Sequence, residues 1–287
     1  MLAEIERFVN HVRRRNPQAR TWRDYQYDLA QFAAQVGSER ALATLQLQDI
    51  DAFILVQADR GFKPATINRR LAAIASLFTF LSDEDPNLVC PVLTHRHSIR
   101  QPQRLPRPVP AEDLSRFLAA IEDVRDRAMV LLMLRCGLRI SEVASLKISD
   151  LYLRERQPRL QVSGKGSRER VVYLSAQAER ALRAYLAQRP KVPADFLFVS
   201  YLGGGLSTTA IHKRLMRYRQ LTGVTLSAHR LRHTFANDLL NADMPVTSIQ
   251  KLLGHSWIET TQTYVAANDR QVQLDLQTAV RRLESWQ

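Results

Sequence analysis

The sequence predicts a mainly α (α+β) protein, with a helical N-terminal domain and a mostly helical C-terminal domain that contains a small antiparallel β-sheet. Apolar residues recur at helical spacing along most of the chain. One stretch, residues 159–174, alternates in the manner of a β-hairpin instead. A stretch rich in proline and arginine separates the two helical parts and offers little to bury. At 287 residues the chain is long enough for two hydrophobic cores.

Four amphipathic helices are predicted before residue 94, because apolar residues fall on one face at spacings of three and four. They span residues 2–12, 21–37, 49–57 and 66–83. The fourth helix turns Asn68 and Arg69 outward. Since a basic helical face fits a major groove, we expect these two residues and the adjacent Arg70 to contact DNA. An ordinary solvated surface is the other interpretation of this face.

Residues 95–110, HRHSIRQPQRLPRPVP, contain four prolines and four arginines without hydrophobic periodicity. Such a composition predicts an extended linker. We therefore predict domains at 1–94 and 111–287, with the boundary near residue 106. A basic linker between two basic domains suggests a clamp around a duplex, so Arg104 is a further candidate DNA contact.

The C-terminal domain is predicted to hold helices on both sides of one hairpin. Gly137 is suited to end the second helix, and SGKGS forms the tip between the two strands. The predicted strands are 159–162 and 170–174, and the predicted helices are 111–120, 123–135, 141–146, 176–188, 207–221, 229–241, 247–253, 256–266 and 271–286.

The charge of the chain, +13 with a pI near 10.3, points to a polyanionic partner. A coding bias explains arginine in place of lysine but not the excess of base over acid. No apolar run is long enough to span a membrane, and the N-terminus lacks the pattern of a signal peptide. Cys90 and Cys136 show neither a disulfide framework nor metal-ligand spacing. We expect a soluble cytoplasmic protein that binds nucleic acid.

Two segments carry cations suited to a phosphodiester. Arg139, in CGLRISE, follows a glycine at a helix corner, where Glu142 is placed to orient its guanidinium for two phosphate oxygens. Taken alone, an arginine that satisfies carbonyls at a helix end is the commoner explanation. Lys165 sits between two glycines at the hairpin tip, where it can protonate a leaving oxygen. A solvated turn lysine is again the commoner alternative.

Two further segments carry histidines and a tyrosine. In SAHRLRH, His229 and Arg232 are three apart and share a helix face, so one can move protons while the other stabilises charge. His255 lies in the turn between two predicted helices, and Tyr264 lies about two turns into the second. An isolated helical tyrosine is usually a packing residue, so its case depends on its neighbours.

Zinc is an alternative use of these histidines, with His229 and His233 one turn apart and His255 as a third ligand. The adjacent Arg232 repels a cation, and neither an HExxH pattern nor an acidic ligand accompanies the histidines. We therefore expect no metal.

Four segments, CGLRISEVASL, SGKGSRERVVYL, SAHRLRHTFA and LLGHSWIETTQTY, resemble in this order the active-site boxes of the tyrosine recombinase (phage integrase) family, most closely its Xer-like branch. TWRDYQYDLAQF and ATINRRLAAIASLFTFL resemble the core-binding (SAM-like) domain of that family. The resemblance spans nearly the whole chain, and no catalytic position departs from the family pattern.

The resemblance implies that Tyr264 attacks the scissile phosphate and forms a 3′-phosphotyrosyl link. Arg139, Arg232 and His255 would stabilise charge on the phosphate, Lys165 would protonate the 5′-oxygen, and His229 would assist proton transfer. Glu142 is a candidate to support this set from behind, by orienting Arg139. No cofactor is implied, because the cations do the work of a metal and the phosphotyrosyl bond conserves the energy of the broken linkage.

The implied partners are double-stranded DNA at specific sites and further recombinase subunits, as a homotetramer or as a heterotetramer with a related recombinase, acting at the nucleoid. The apolar stripe of the predicted helix 271–286 fits packing on a neighbouring subunit as well as on its own domain. A type IB topoisomerase and a catalytically silent DNA-binding protein are the alternatives. The presence of all six catalytic residues opposes the silent protein.

Overall fold

The predicted fold class is confirmed. The structure is a computed structural model that describes residues 1–17, 19, 21–100, 109–164 and 169–254. It divides into two units, Met1–Gln103 and Arg104–Gln287. The described residues form twelve α-helices and one three-stranded sheet. No helix among them has both the length and the apolar character needed to cross a bilayer.

The N-terminal unit contains the four predicted helices, whose ends differ from the prediction by at most three residues. Pro64 starts the fourth helix earlier than predicted, because proline is suited to a first helical turn. The predicted apolar stripe of that helix is buried, including Ile67, Ile74 and Leu77. The helices of this unit are α1 (Leu2–Arg15), α2 (Thr21–Val36), α3 (Leu47–Asp59), α4 (Pro64–Ser82) and a short α5 (Thr94–His97).

Arg70 lies on the inner face of α4, so the prediction that it contacts DNA is wrong. Its side chain is 1% exposed. The guanidinium donates to the side chain of Gln57, lies 4.1 Å from the centre of the Phe62 ring and approaches the buried Asp28 at 3.5 Å. Arg70 stands three residues after the buried Ile67 and therefore shares its helix face.

Asn68 and Arg69, unlike Arg70, do not lie on the inner face of α4. The amide of Asn68 donates to the Ile99 carbonyl at 2.8 Å and accepts from the Ile99 backbone N–H at 2.9 Å. Arg69 is exposed, as predicted, and its guanidinium pairs with Asp28 at 2.7 Å. The amide of Asn68 thus holds a neighbouring segment instead of facing outward to DNA as predicted, whereas Arg69 faces solvent.

The predicted linker start, residue 95, is placed too early in the chain. α5 lies within its first residues, and His97 there is 2% exposed. Arg96 pairs with Asp51 at 2.5 Å, and Asn68 holds Ile99. Residues 95–100 are thus attached to the N-terminal unit by polar contacts that an apolar pattern does not reveal. Arg104 lies outside the described residues.

The C-terminal unit is built around α7, in which residues 128–134 are all buried. α9 and α11 pack against it. The predicted hairpin is confirmed, with Leu160 opposite Val172, and a two-residue strand too short to show alternation adds to its edge. The elements are α6 (Ala111–Ala119), α7 (Val124–Arg135), α8 (Ile140–Ser145), β1 (Leu151–Tyr152), β2 (Arg159–Ser163), β3 (Glu169–Tyr173), α9 (Ala176–Gln188), α10 (Thr208–Thr222), α11 (Ala228–Asn241) and α12 (Val246–Leu253). The predicted helices 256–266 and 271–286 lie outside the described residues.

Gly137 makes the turn from α7 to α8 possible. Its φ is +66°, a left-handed conformation that residues with a Cβ rarely adopt. A Cβ at this position would stand 2.5 Å from Phe235 Cδ1 and 2.9 Å from Leu253 Cδ2. The absent side chain therefore lets the corner between α7 and α8 approach both α11 and α12.

We predict that Gly137→Ala lowers the free energy of unfolding by about 3 kcal/mol, the combined cost of a left-handed residue and of overpacking. Gly223→Ala is the matched control, because Gly223 has a φ of +69° and its Cβ would have no neighbouring atom within 4 Å. That control loses about 1 kcal/mol, the backbone strain alone. Urea denaturation followed by circular dichroism measures both variants, and equal losses would contradict the packing argument.

Candidate active site

Glu142 is the centre of a buried ionic cluster. It lies in the first turn of α8 and is 4% exposed. Its carboxylate accepts from the Arg139 backbone N–H at 2.7 Å and from the Arg139 guanidinium at 2.9 Å. Burial acts to raise the pKa of Glu142, but the hydrogen bonds and charge of Arg170, followed by those of Arg139, hold that pKa below its usual range. Glu142 is therefore a carboxylate at neutral pH.

Arg139 precedes α8, and 39% of its side chain remains exposed. Its guanidinium donates to Glu142 and also reaches the carbonyls of Leu253 at 3.4 Å and Gly254 at 3.3 Å. Both sequence interpretations of this residue therefore hold in part. Glu142 orients it as predicted, and it also meets helix-end carbonyls, although these belong to α12 and not to its own preceding helix.

Arg232 lies on α11 and is 4% exposed. Its guanidinium donates to the carbonyl of Gly137 and, at 2.5 Å, to the carbonyl of Leu253. The same group stands 3.9 Å from a carboxylate oxygen of Glu142. The structure thus brings together three of the predicted site residues, Arg139, Glu142 and Arg232.

Arg170 on β3 completes the cluster, and sequence reasoning missed it. Its guanidinium binds both carboxylate oxygens of Glu142, at 2.7 and 2.9 Å, and its Nε donates to the Leu252 carbonyl at 2.9 Å. A signal was available, because Arg170 is two residues from the buried Val172 and hence on the inner face of the strand. An arginine on that buried face predicts a buried acidic partner, because an unpaired buried charge is costly.

Three arginines meet at the C-terminal end of α12, on the carbonyls of residues 252–254. The carbonyls of the last helical turn lack partners within the helix and carry partial negative charge, so cations stabilise this end. Gly254 ends the helix with a φ of +61°. The cluster therefore fixes the point from which the chain continues to His255 and Tyr264. Both of these residues, like Lys165, lie outside the described residues.

His229 and His233 stand one turn apart on α11, with their Nε2 atoms in contact and their ring planes at 88°. His229 borders the arginine cluster. Partial desolvation of its ring, followed by the charges of Arg232 and Arg139, lowers its pKa. Burial and then the neighbouring His229 lower the pKa of His233 to about 4. Both imidazoles are therefore neutral at pH 7 and able to accept protons.

Zinc binding would need His255 as a third ligand, and that residue lies outside the described part of the chain. Within the described ranges, no three side chains of His, Cys, Asp or Glu are grouped as metal ligands. Arg232 lies between the two histidines in sequence, and its positive charge acts on His233, where it opposes the binding of a metal cation.

The arrangement can hold a phosphate. Three guanidinium groups surround one carboxylate, which leaves a net positive charge at a site largely screened from water. Guanidinium groups bind phosphate oxygens through paired hydrogen bonds. Fixed cations in such a site stabilise a phosphorane-like transition state more strongly than water does. Neutral imidazoles beside the cations can take up a proton.

We predict that acidification destabilises the protein partly through His233. The unfolded chain binds a proton near pH 6.5 and the folded chain only near pH 4, so stability is lost as the pH falls through this window. His233→Gln should retain roughly 2 kcal/mol of the free energy of unfolding that the unmodified protein loses between pH 7 and 4. The control is His212→Gln, at an exposed position on α10. Equal acid sensitivity of all three proteins, measured by urea denaturation, would refute the assignment.

The sequence matches two family descriptions in succession. Phage integrase, N-terminal SAM-like domain, matches residues 5–85, and Phage integrase family matches residues 108–271. Tyrosine recombinase XerC of Chromohalobacter salexigens is 35% identical over 280 residues, covering 92% of this chain and 91% of the relative. Tyrosine recombinase XerD of Listeria innocua serovar 6a is 31% identical over 262 residues, covering 86% and 87%.

Solved structures share the architecture. XerH site-specific recombinase bound to difH substrate in a pre-cleavage complex has a TM-score of 0.68 at 25% identity, covering 85% of this chain and 75% of that one. A lambda integrase dimer bound to a COC′ core site has a TM-score of 0.75 at 17% identity, covering 94% and 96%, a likeness of fold alone. The resemblance drawn from the four sequence segments is confirmed: the chain belongs to the phage integrase family, the tyrosine recombinases.

Proposed function

We propose that this protein is a site-specific DNA recombinase that cleaves and rejoins strands through a 3′-phosphotyrosyl link to Tyr264. The observation that carries the proposal is the convergence of Arg139 and Arg232, two residues 93 positions apart in sequence. Both approach the buried carboxylate of Glu142, and both donate to the Leu253 carbonyl at the end of α12. The segment that follows α12 contains His255 and Tyr264. Family membership and relatives named as tyrosine recombinases support the same activity.

In this mechanism the Tyr264 phenol oxygen attacks the scissile phosphorus as its proton passes to a base, for which neutral His229 is suited. The bond from phosphorus to the 5′-oxygen breaks, and Lys165 supplies the proton that the leaving oxygen needs. Arg139, Arg232 and His255 bind the non-bridging oxygens. In the second step the 5′-hydroxyl of another strand attacks the phosphotyrosyl link and releases Tyr264.

The ordinary pKa of a tyrosine, about 10, explains why cations are needed near the phenol. A positive field stabilises the phenolate and the extra negative charge of the transition state together. Arg139 is suited to meet the phosphate first, because it is the more exposed of the two predicted arginines, at 39% against 5% for the Arg232 side chain.

The proposed partner is double-stranded DNA. The XerH structure is bound to difH substrate, and the lambda integrase structure is bound to a COC′ core site. In this chain α10 carries four basic residues, Lys213, Arg214, Arg217 and Arg219, and no acidic residue. Lys213 and Arg217 are exposed one turn apart. A helix face with this charge fits the phosphates that flank a groove. Arg69 and Arg104 stay proposed contacts of the same kind.

As further parts of the proposal, four subunits act together on two DNA sites, and the protein works in the cytoplasm on nucleoid DNA. The subunits are copies of this chain or of this chain and a related recombinase. The lambda integrase structure, a dimer bound to a COC′ core site, supports assembly of more than one subunit. The relatives named above are recombinases, so relaxation of supercoils by a topoisomerase and silent DNA binding are not favoured.

Replacing Tyr264 tests the chemistry. DNA fragments enriched from the host genome by the protein are rebuilt as nicked duplexes, from which the cleaved short strand diffuses away. The unmodified protein should accumulate a covalent DNA adduct, visible by denaturing gel electrophoresis, and Tyr264→Phe should form none. Tyr27→Phe, an exposed tyrosine of the N-terminal unit, is the control and should form as much adduct as the unmodified protein. An adduct with Tyr264→Phe would refute the assigned nucleophile.

The role of α10 in binding is tested by salt dependence. Replacing both Lys213 and Arg217 with glutamine should reduce the slope of log affinity against log salt by about 0.9 for each phosphate that is no longer neutralised. Arg116→Gln is the control, because Arg116 is exposed but already paired with Asp113. Fluorescence anisotropy at several salt concentrations gives the slopes. An unchanged slope in the double variant would exclude this face from the DNA interface.

A further inference from the structure

We propose that Arg170 is a positioning residue for strand transfer: by occupying Glu142, it leaves the charges of Arg139 and Arg232 available to the scissile phosphate. This inference rests on the proposed function and deepens it, since it explains how the site keeps a positive charge beside a buried acid. Arg170 itself acts through Glu142 and does not contact the reacting atoms.

The contacts of Arg170 are directed inward. Its two terminal nitrogens bind the two oxygens of Glu142 at 2.7 and 2.9 Å, the paired geometry that is strongest for guanidinium and carboxylate. Its Nε donates to the Leu252 carbonyl at 2.9 Å. The side chain is 12% exposed, against 39% for Arg139. Arg170 is therefore held away from the solvent side from which a phosphate arrives.

The three arginines compete for one acid. Glu142 also lies 2.9 Å from Arg139 and 3.9 Å from Arg232. Charges interact strongly in a buried site, so a carboxylate without Arg170 would draw both remaining guanidinium groups and cancel one of their charges. With Arg170 present the cluster has three cations and one anion. The net charge then matches the two negative charges that phosphoryl transfer develops.

Arg170 also links two parts of the chain that carry predicted catalytic residues. It follows Lys165 by five residues on the strand that leaves the hairpin tip, and it binds the end of α12 just before His255. The fit at this end is close, because a Cβ on Gly254 would stand 3.1 Å from Arg170 Cδ. The strand and the helix end are thus connected through one guanidinium group.

Binding of inorganic phosphate tests the charge argument without DNA. The Nε–Hε signals of Arg139 and Arg232, assigned from their lysine variants, are followed by NMR as phosphate is added. Arg170→Gln should raise the phosphate concentration at half-saturation about tenfold, the effect of one unit charge at roughly 10 Å in a medium between protein and water. Adding Glu142→Gln to this variant restores two net positive charges and should return the midpoint to within about threefold of the unmodified protein.

This rescue distinguishes the proposal from a merely structural role of Arg170. If the role were only structural, adding Glu142→Gln would weaken phosphate binding further instead of restoring it. Arg159→Gln is the matched control, an arginine of the same sheet paired with Glu155 and not with Glu142, and its midpoint should not change. A midpoint for Arg170→Gln equal to that of the unmodified protein, or a double variant no better than the single one, overturns the proposal. If Arg170→Gln does not fold, Arg170→Lys keeps the charge and should bind phosphate within about threefold of normal; a tenfold loss there overturns it equally.

The nicked duplex supplies the second readout. With saturating protein, so that weaker binding does not limit the rate, Arg170→Gln should form the covalent adduct at least tenfold more slowly, and the double variant should recover most of the rate. Failure of the unmodified protein to form an adduct would count against the proposed function, whereas the phosphate titration would still decide the role of Arg170. An unchanged adduct rate in Arg170→Gln would overturn the positioning role alone.

Discussion

One buried carboxylate holds together the candidate active site of the C-terminal unit. Glu142 is the anion to which three guanidinium groups are drawn, from the corner before α8, from β3 and from α11. Without this acid the three cations would repel one another in a site where water screens them poorly. Removing one partner from such a cluster is costly, because it leaves an uncompensated buried charge. The position of α8, which places Glu142 in the interior, is thus the constraint on which the other contacts depend.

The end of α12 is the second anchor of this region. Its terminal carbonyls need hydrogen-bond donors, and the three arginines supply them. The same hydrogen bonds therefore satisfy the helix end and hold the arginines of the site in place. The close approach of α12 and α11 to the corner at Gly137 is possible because that position has no side chain. In contrast to the charged cluster, the imidazoles of His229 and His233 are kept neutral by burial and by the neighbouring cations. Fixed cations and neutral bases side by side are what a transfer of phosphate and protons requires.

Much of this architecture is predictable because apolar residues recur at a regular spacing along its helices and strands. Among the described residues, the helices other than α5 and the two main strands follow from apolar spacing, and the order of the four motif segments indicates the family. The predictions that are wrong concern polar residues. Arg70 is buried against Asp28 and Gln57 instead of facing DNA, and residues 95–100 are bound by Asp51 and Asn68 instead of forming a linker. An arginine looks the same in sequence whether its acid is solvent-exposed, buried or absent.

The sequence by itself determined the fold class, the family, the candidate catalytic residues and, among the described residues, the positions of all helices but α5 and of the two main strands, because hydrophobic period and motif order are local properties of a chain. Only the tertiary structure decided which charges meet. The approach of Arg232 to Glu142, the inward position of Arg170 and the use of α12 carbonyls all join residues on separate elements, up to 115 positions apart. Pairing of this kind depends on distance in space and on burial, since both set the strength of an electrostatic contact, and neither can be read from the order of residues.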